Sequence, residues 1–121
     1  MKDEYKKIKY LAQRLYDKKG LNILAIDVTG VSNMTDFFLI AEGNVERHVQ
    51  ALGREIIEAL KELNIPVLKK DGDQTGDWMV VDAGSILVHI FIPELRERYA
   101  LEEVWKEGQL IDLDIKMVRE S

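Results

Sequence analysis

The chain has 121 residues, of which 46% are hydrophobic and 32% charged, and it contains no cysteine. This length predicts a single domain with one core, and the composition is typical of a globular protein rather than a disordered or fibrous one. The lack of cysteine excludes disulfides, cysteine-ligated metal sites and thiol catalysis within this chain.

The net charge of −5 is unevenly distributed. The first 20 residues carry seven basic and three acidic side chains, whereas the other 101 residues carry ten basic and 19 acidic ones. Nucleic-acid-binding domains usually carry a basic stripe, because phosphate neutralisation supplies much of their affinity. The acidic body therefore predicts little direct nucleic-acid binding and favours a basic protein partner, although such a charge equally fits a role in solubility alone.

No membrane or export segment is visible in the sequence. No run approaches the roughly 20 apolar residues that a membrane-spanning helix needs. The N-terminal sequence MKDEYKKIKY lacks the apolar core of a signal peptide. We therefore expect a cytoplasmic protein without a membrane partner.

The first forty residues predict a helix followed by two strands. Apolar side chains recur at helical spacing between Tyr5 and Tyr16, and Gly20 follows a lysine pair as a stop signal. Strands are predicted at residues 21–28 and 37–41, on either side of a polar loop.

A long amphipathic helix is predicted next. Asn44 is its expected N-cap, and the helical spacing of apolar residues continues to Leu63, before Pro66. A short strand at residues 67–68 then precedes the polar turn DGDQTG.

The segment DWMVVDAGSILVHIFIP predicts a β-hairpin with Gly84-Ser85 as its two-residue loop. Pairing across the hairpin sorts its side chains onto two faces. The core face is purely apolar and comprises Met79, Val81, Ala83, Ile86, Val88, Ile90 and Ile92. The second face is mixed and comprises Trp78, Val80, Asp82, Leu87, His89 and Phe91. Because it lacks a catalytic set, we interpret the second face as a docking surface, although a tryptophan in a strand is as often a core residue.

The C-terminal part predicts short helices and a last strand. Pro93 is expected to open a short helix, followed by a further helical turn at residues 101–105. Residues 110–118 alternate between apolar and polar side chains, which predicts an edge strand. Its side chains expected to point outward are Asp112, Asp114 and Lys116. The order of elements predicts an α/β fold with a mixed β-sheet flanked by helices in a single domain.

Catalytic and metal-binding motifs are weak. His48 and His89 lie in no metal-binding spacing, and neither Ser32 nor Ser85 lies in a G-x-S-x-G motif. The sequence also has no Walker loop and no G-x-G-x-x-G fingerprint. We therefore expect no catalytic residue, no metal and no cofactor.

Magnesium-dependent nucleotidyl transfer is the enzymatic alternative. It requires a Gly-Ser loop that opens a helix, and an Asp-x-Asp pair that holds the metal ions. The matching residues are Gly84-Ser85 and the pairs Asp71/Asp73 and Asp112/Asp114. However, the Gly-Ser pair runs into a predicted strand, and Asp and Gly are favoured in a DGD turn for backbone reasons. A non-enzymatic protein is the preferred interpretation.

Several short motifs occur together in the order and spacing of a known family. They are residues 78–84 with 88–91; Asp27, Ser32, Asp36, Phe37 and Phe38; Gly43, Arg47, Val49 and Ala51; and Arg98, Tyr99, Leu101, Glu102 and Trp105. Across residues 5–106 the chain thus resembles the ribosomal silencing factor family (RsfS, also called Iojap-related). We expect a family-like domain at residues 1–106 and a C-terminal extension at 107–121, packed as an edge strand on the same domain.

The resemblance implies a nucleotidyltransferase-like sheet without the active site. It implies binding to the large ribosomal subunit through its fourteenth ribosomal protein, on the intersubunit face. Bound there, family members block joining of the small subunit and repress translation under nutrient limitation, and organelle relatives assist large-subunit assembly. A homodimer of the free protein is also implied.

The resemblance and the hairpin pattern together predict the partner-binding residues. These are Trp78, Val80, Asp82, Ala83, Leu87 and His89. The hairpin tip departs from the family pattern, because family members commonly have a bulky residue at the position of Ala83 and an acid at that of Ser85.

Overall fold

The computed structural model describes residues 2–72, 75–98 and 107–116. The elements are, in chain order, α1 (Lys2–Asp17), β1 (Leu21–Asp27), β2 (Phe37–Glu42), α2 (Glu46–Glu62), β3 (Lys69–Gly72), β4 (Trp78–Asp82), β5 (Ile86–Phe91), α3 (Pro93–Arg98) and β6 (Gln109–Leu110). The strands form one sheet in the order β3-β4-β5-β2-β1-β6, in which β2 and β5 pair in parallel and the other neighbours are antiparallel. The predicted mixed sheet flanked by helices is confirmed.

Helices α1 and α2 cover one side of the sheet, which we call the helix-covered face. Their apolar residues recur every three or four positions, so each helix turns one apolar stripe toward the strands. The fully buried side chains on these stripes include Ile8, Leu11, Leu15, Leu52, Ile56 and Leu60. Burial of these stripes is the main stabilising contribution to the fold.

Strand β2 is buried on both sides because it lies in the middle of the sheet. Phe37 and Leu39 face the helices, whereas Phe38 and Ile40 belong to a smaller cluster on the opposite side, which we call the second face of the sheet. This alternation with a period of two residues is that of a regular strand.

The stop of α1 lies where the sequence placed it. Lys19 adopts a left-handed conformation with φ of 68°, and the N–H of Gly20 donates to the carbonyl of Leu15 at 2.8 Å. A Cβ at Gly20 would lie 2.9 Å from that carbonyl oxygen, so the close approach requires glycine.

The predicted N-cap of α2 is wrong. The cap is Val45, which is extended and makes no side-chain cap hydrogen bond. The N–H of Asn44 instead donates to Nδ1 of His48 at 2.9 Å, and Nε2 of the same ring lies 2.9 Å from the carbonyl oxygen of Lys18. His48 therefore connects the start of α2 to the end of α1. Residue preferences for the N-cap position do not predict these two contacts.

The strand predicted at residues 67–68 is displaced, because β3 covers Lys69–Gly72. All four of its residues are exposed at the edge of the sheet, and they pair with β4 through the backbone. A strand that buries neither side leaves no apolar alternation in the sequence, which explains the error.

The strand predicted at 110–118 is also largely wrong. The paired residues end at Leu110, and one further hydrogen bond joins the Ile111 N–H to the Ala25 carbonyl of β1 at 2.9 Å. Residues 112–116 then leave the sheet as an irregular segment, and residues 117 and 118 lie outside the described chain. The alternation is nevertheless real, since Ile111, Leu113 and Ile115 pack on the helix-covered core. The side chains of Asp112, Asp114 and Lys116 are exposed, as predicted.

Contacts with α1 hold this segment in place. Lys9 Nζ lies 3.0 Å from Asp114 Oδ2, and Gln13 bonds both the N–H and the carbonyl of Lys116. Segment 111–116 alternates in burial against α1, and this gives the same sequence pattern as a paired strand.

None of the helices within residues 2–72, 75–98 and 107–116 has the length and hydropathy of a membrane span.

Candidate docking surface

The hairpin formed by β4 and β5 has the predicted loop. Asp82 pairs with Leu87, and the Ala83 N–H donates to the Ile86 carbonyl at 2.9 Å, which leaves Gly84-Ser85 as the turn. Gly84 has a φ of +84°, a conformation that favours glycine. The Asp82 carboxylate accepts the N–H of Gly84 at 2.9 Å and so closes the turn.

The predicted separation of the hairpin into two faces is confirmed. The core-face residues Val81, Val88 and Ile90 are fully buried in the helix-covered core. Met79 approaches α2 so closely that a Cβ on Gly53 would meet its sulfur at 2.0 Å.

The second face carries an apolar cluster of its own. The buried members are Ile26, Val28, Phe38, Ile40, Leu87 and Phe91. Trp78 and Val80 pack on the border of this cluster and remain partly exposed, together with Leu95 of α3. The tryptophan is therefore both a packing residue and an accessible one.

The structure gives the predicted docking residues unequal access. Leu87 is only 6% exposed, and Ala83, at 8%, belongs to the helix-covered core rather than to the second face. Neither can offer a partner more than a small area. The partly exposed members are Trp78, Val80, Asp82 and His89, and we call these four the candidate docking surface.

His89 is stacked within this surface. Its ring centroid lies 5.7 Å from that of Phe91 at an interplanar angle of 22°, and 5.6 Å from that of Phe38. Burial of the ring lowers its pKa from 6.5 to about 4, because the charged form loses hydration there. His89 is thus a neutral aromatic side chain at pH 7 and adds to the apolar area.

Sequence reasoning missed an exposed apolar group around the hairpin turn. Met34 and Leu68 are 75% and 67% exposed; Met34 lines a depression with Gly84 and Ser85, and Leu68 Cδ1 lies 3.5 Å from the position of a Cβ on Gly84. The loop before β2 is fixed to the turn, since Thr35 Oγ1 donates to the Gly84 carbonyl at 3.2 Å. A single apolar residue in a loop gives no periodic signal, so only the fold shows that these side chains lie near the turn.

The described residues of the two Asp-x-Asp pairs of the enzymatic alternative lie at opposite edges of the sheet. Asp71 lies on edge strand β3, whereas Asp112 and Asp114 follow β6 at the opposite edge. Asp73 lies outside the described residues. Gly84-Ser85 joins two strands rather than opening a helix. Within the described chain, no three His, Asp or Glu side chains are grouped as a metal site.

Comparison with known proteins places this fold and hairpin in one family. The family model described as "Ribosomal silencing factor during starvation" matches residues 2–121. The chain belongs to this family. The match includes residues 107–116, which pack on α1 and β1.

Individual relatives agree with this assignment. The chain is 40% identical to ribosomal silencing factor RsfS of Bacillus subtilis over 110 residues, which covers 91% of this chain and 93% of that protein. It is 34% identical to the mouse protein named "Mitochondrial assembly of ribosomal large subunit protein 1", over 81% of this chain and 44% of that one. A crystal structure from Chromobacterium violaceum superposes with a TM-score of 0.78 at 29% identity, covering 92% of each chain.

Proposed function

We propose that this chain binds the large ribosomal subunit through its fourteenth ribosomal protein, on the intersubunit face, and sterically prevents the small subunit from joining. Translation is thereby repressed under nutrient limitation, in the cytoplasm. Membership of the ribosomal silencing factor family over residues 2–121 is the observation that carries this proposal.

The chemistry of the candidate docking surface supports a protein partner. Trp78 combines a large apolar ring with one N–H donor, the kind of side chain that anchors interfaces. Val80 and the neutral ring of His89 extend the apolar area around it. Residues 21–121 carry 19 acidic and ten basic side chains, so a basic protein surface complements them.

Repression by occupancy requires no chemical step. If this chain and the small subunit compete for one face of the large subunit, the fraction of joined ribosomes depends on the concentration of the chain relative to its Kd. Repression is then reversible by dilution.

Sedimentation of purified subunits with added protein tests the proposal. We expect the protein to migrate with the large subunit and not with the small one, and the fraction of joined ribosomes to fall as its concentration rises. The free fourteenth ribosomal protein of the large subunit, added in excess, should compete with the large subunit for binding to this chain. Protein that stays at the top of the gradient and leaves joining unchanged contradicts the proposal.

A role in large-subunit assembly is a second candidate, favoured by the name of the mouse relative. Deletion of the gene followed by sedimentation of cell extracts distinguishes the two functions. Assembly predicts incomplete large subunits during rapid growth. Silencing predicts normal subunits and an excess of joined ribosomes in starved cells.

We also propose that the free protein forms a homodimer, because it leaves partly exposed apolar surface uncovered. Light scattering at high concentration should then give about twice the 13.9 kDa of one chain. A mass of one chain at every concentration contradicts the dimer but leaves the silencing proposal unaffected.

A further inference from the structure

A cleft adjoins the candidate docking surface on the side of the edge strand. It has a volume of about 460 Å³ and lies between α2 and the β3–β4 pair. The side chains that carry its chemistry are Gln50 and Arg54 from α2 and Lys70 from β3, and its lining also includes Asp71 and Trp78. Trp78 on β4 lines the cleft while its side chain packs on the second face, so the two sites adjoin across this strand. A partner held on the docking surface therefore brings its own neighbours close to the cleft.

The cleft carries two positive side chains and one acidic side chain. Arg54 and Lys70 are exposed and form no ion pair or hydrogen bond with the described residues. The acid of the cleft, Asp71, is engaged elsewhere: its Oδ1 accepts the Gly72 N–H at 2.9 Å, and its Oδ2 lies 3.9 Å from Lys69 Nζ. The cleft is therefore locally basic in a chain whose net charge is −5.

Further cations extend this basic surface along α2. Arg47, Arg54 and Lys61 are exposed and seven residues apart, so they lie along one side of the helix. Glu58 is the exposed acid one turn beyond Arg54, and no ion pair joins the two. The exposed cations of α2 thus extend beyond the cleft, with the exposed Glu58 between Arg54 and Lys61.

We propose that this cleft binds the phosphate backbone of ribosomal RNA, next to the ribosomal protein held by the candidate docking surface. The inference rests on the proposed function. Arg and Lys are the usual phosphate ligands of proteins. The Gln50 amide offers both a donor and an acceptor at the same place.

The acidic net charge does not contradict this partner. Two phosphate contacts are too weak to bind free RNA, but they add to binding once the docking surface holds the cleft against the subunit. The net negative charge disfavours association with free nucleic acid. The cleft contacts RNA only after the docking surface has bound the subunit.

The test compares a double variant in the cleft with a matched control elsewhere. Arg54→Ala/Lys70→Ala removes both cleft cations, and Lys6→Ala/Lys18→Ala removes two exposed lysines from the region of α1. The Kd for large subunits is measured across a salt series. The slope of log Kd against log salt should fall by about 1 to 2 in the cleft variant, since each phosphate contact contributes about 0.7 to 0.9. The control should keep the wild-type slope.

Binding to the isolated ribosomal protein identifies the partner of the cleft. If the cleft contacts RNA, the cleft variant should bind the isolated protein with wild-type affinity, and Lys70→Arg should retain the wild-type slope on subunits. A wild-type slope for the cleft variant overturns the inference. Equal weakening toward the isolated protein also overturns it, since an acidic protein patch would then fill the cleft. Wild-type protein that binds no subunit contradicts the proposed function itself.

Discussion

The two faces of the sheet enclose their apolar side chains to different extents. On the helix-covered face, α1 and α2 leave Ile56 and Val88 without exposed area. On the second face, Phe91 is as deeply buried, yet Trp78 and Val80 at the border of the same cluster remain accessible. Strand alternation assigns each side chain to a face, but the elements packed above that face decide whether the side chain serves stability or binding.

Truncation of one residue on each face gives the largest expected difference. Ile56→Ala should lower the free energy of unfolding by about 2–5 kcal/mol, because it leaves a cavity in a closed core. Val80→Ala should cost about 1 kcal/mol or less, since its site already borders solvent. Urea denaturation measures both values. Equal costs would mean that the second face is closed as tightly as the first.

Trp78 and Met79 are neighbours in the chain that point to opposite faces. Trp78→Ala should weaken binding to the large subunit by about 2–4 kcal/mol, roughly 30- to 1,000-fold, as for a buried interface anchor. Met79→Ala should leave that binding unchanged and lower the free energy of unfolding by about 2 kcal/mol through its lost contact with α2. Thermal melting and subunit binding are measured on the same preparations.

Two results would reverse this assignment. A Trp78→Ala protein destabilised by about 3–5 kcal/mol would show that the indole is a core residue. A stable Trp78→Ala protein that binds as wild type would place the docking surface elsewhere, for example around Met34 at the hairpin turn.

His89 makes the second face sensitive to acid. Its pKa is about 4 in the folded protein and about 6.5 in the unfolded chain, so the unfolded chain takes up a proton first as pH falls. Its stabilising contribution is complete above pH 6.5 and is lost as pH falls to 4. The loss is at most about 3 to 4 kcal/mol, at about 1.4 kcal/mol per pH unit.

A phenylalanine at this position is the matched control. His89→Phe retains the stacking on Phe38 and Phe91 and cannot titrate, so its free energy of unfolding should change less between pH 6.5 and 4. The carboxylates are common to both proteins, and the difference between the two pH profiles isolates His89. Parallel profiles would contradict the burial of this ring.

Much of the fold was predictable because burial is periodic in the sequence. The stripes of α1 and α2 and the alternation in β4 and β5 follow directly from which side chains meet the core. The exposed edge strand β3 was not predictable from that signal, because none of its residues is buried. Segment 111–116 was misassigned because a chain laid across α1 alternates in burial as a paired strand does.

The candidate site was predictable in outline only. Alternation placed Trp78, Val80, Asp82 and His89 on one face, but it could not reveal that Leu87 is buried beneath them. The cleft depends on Arg54 and Lys70, which are 16 positions apart in the chain and meet only through the packing of α2 beside β3. Two residues that meet only through tertiary packing give no periodic or spacing pattern in the sequence.

Asp82 gives the smallest and most specific effect, because one carboxylate both closes the hairpin turn and carries a charge on the docking surface. Asp82→Asn keeps an oxygen that can accept the Gly84 N–H, so its stability should change little, while the association rate with a basic partner should fall a few-fold and depend less on salt. Asp82→Ala should show the same change in rate and, in addition, lose about 1 kcal/mol of stability with the hydrogen bond of the turn. Association kinetics at low and physiological salt, together with urea denaturation, separate the two contributions. An Asp82→Asn protein that associates at the wild-type rate at both salt concentrations would restrict Asp82 to the turn and leave docking to the apolar residues of the second face.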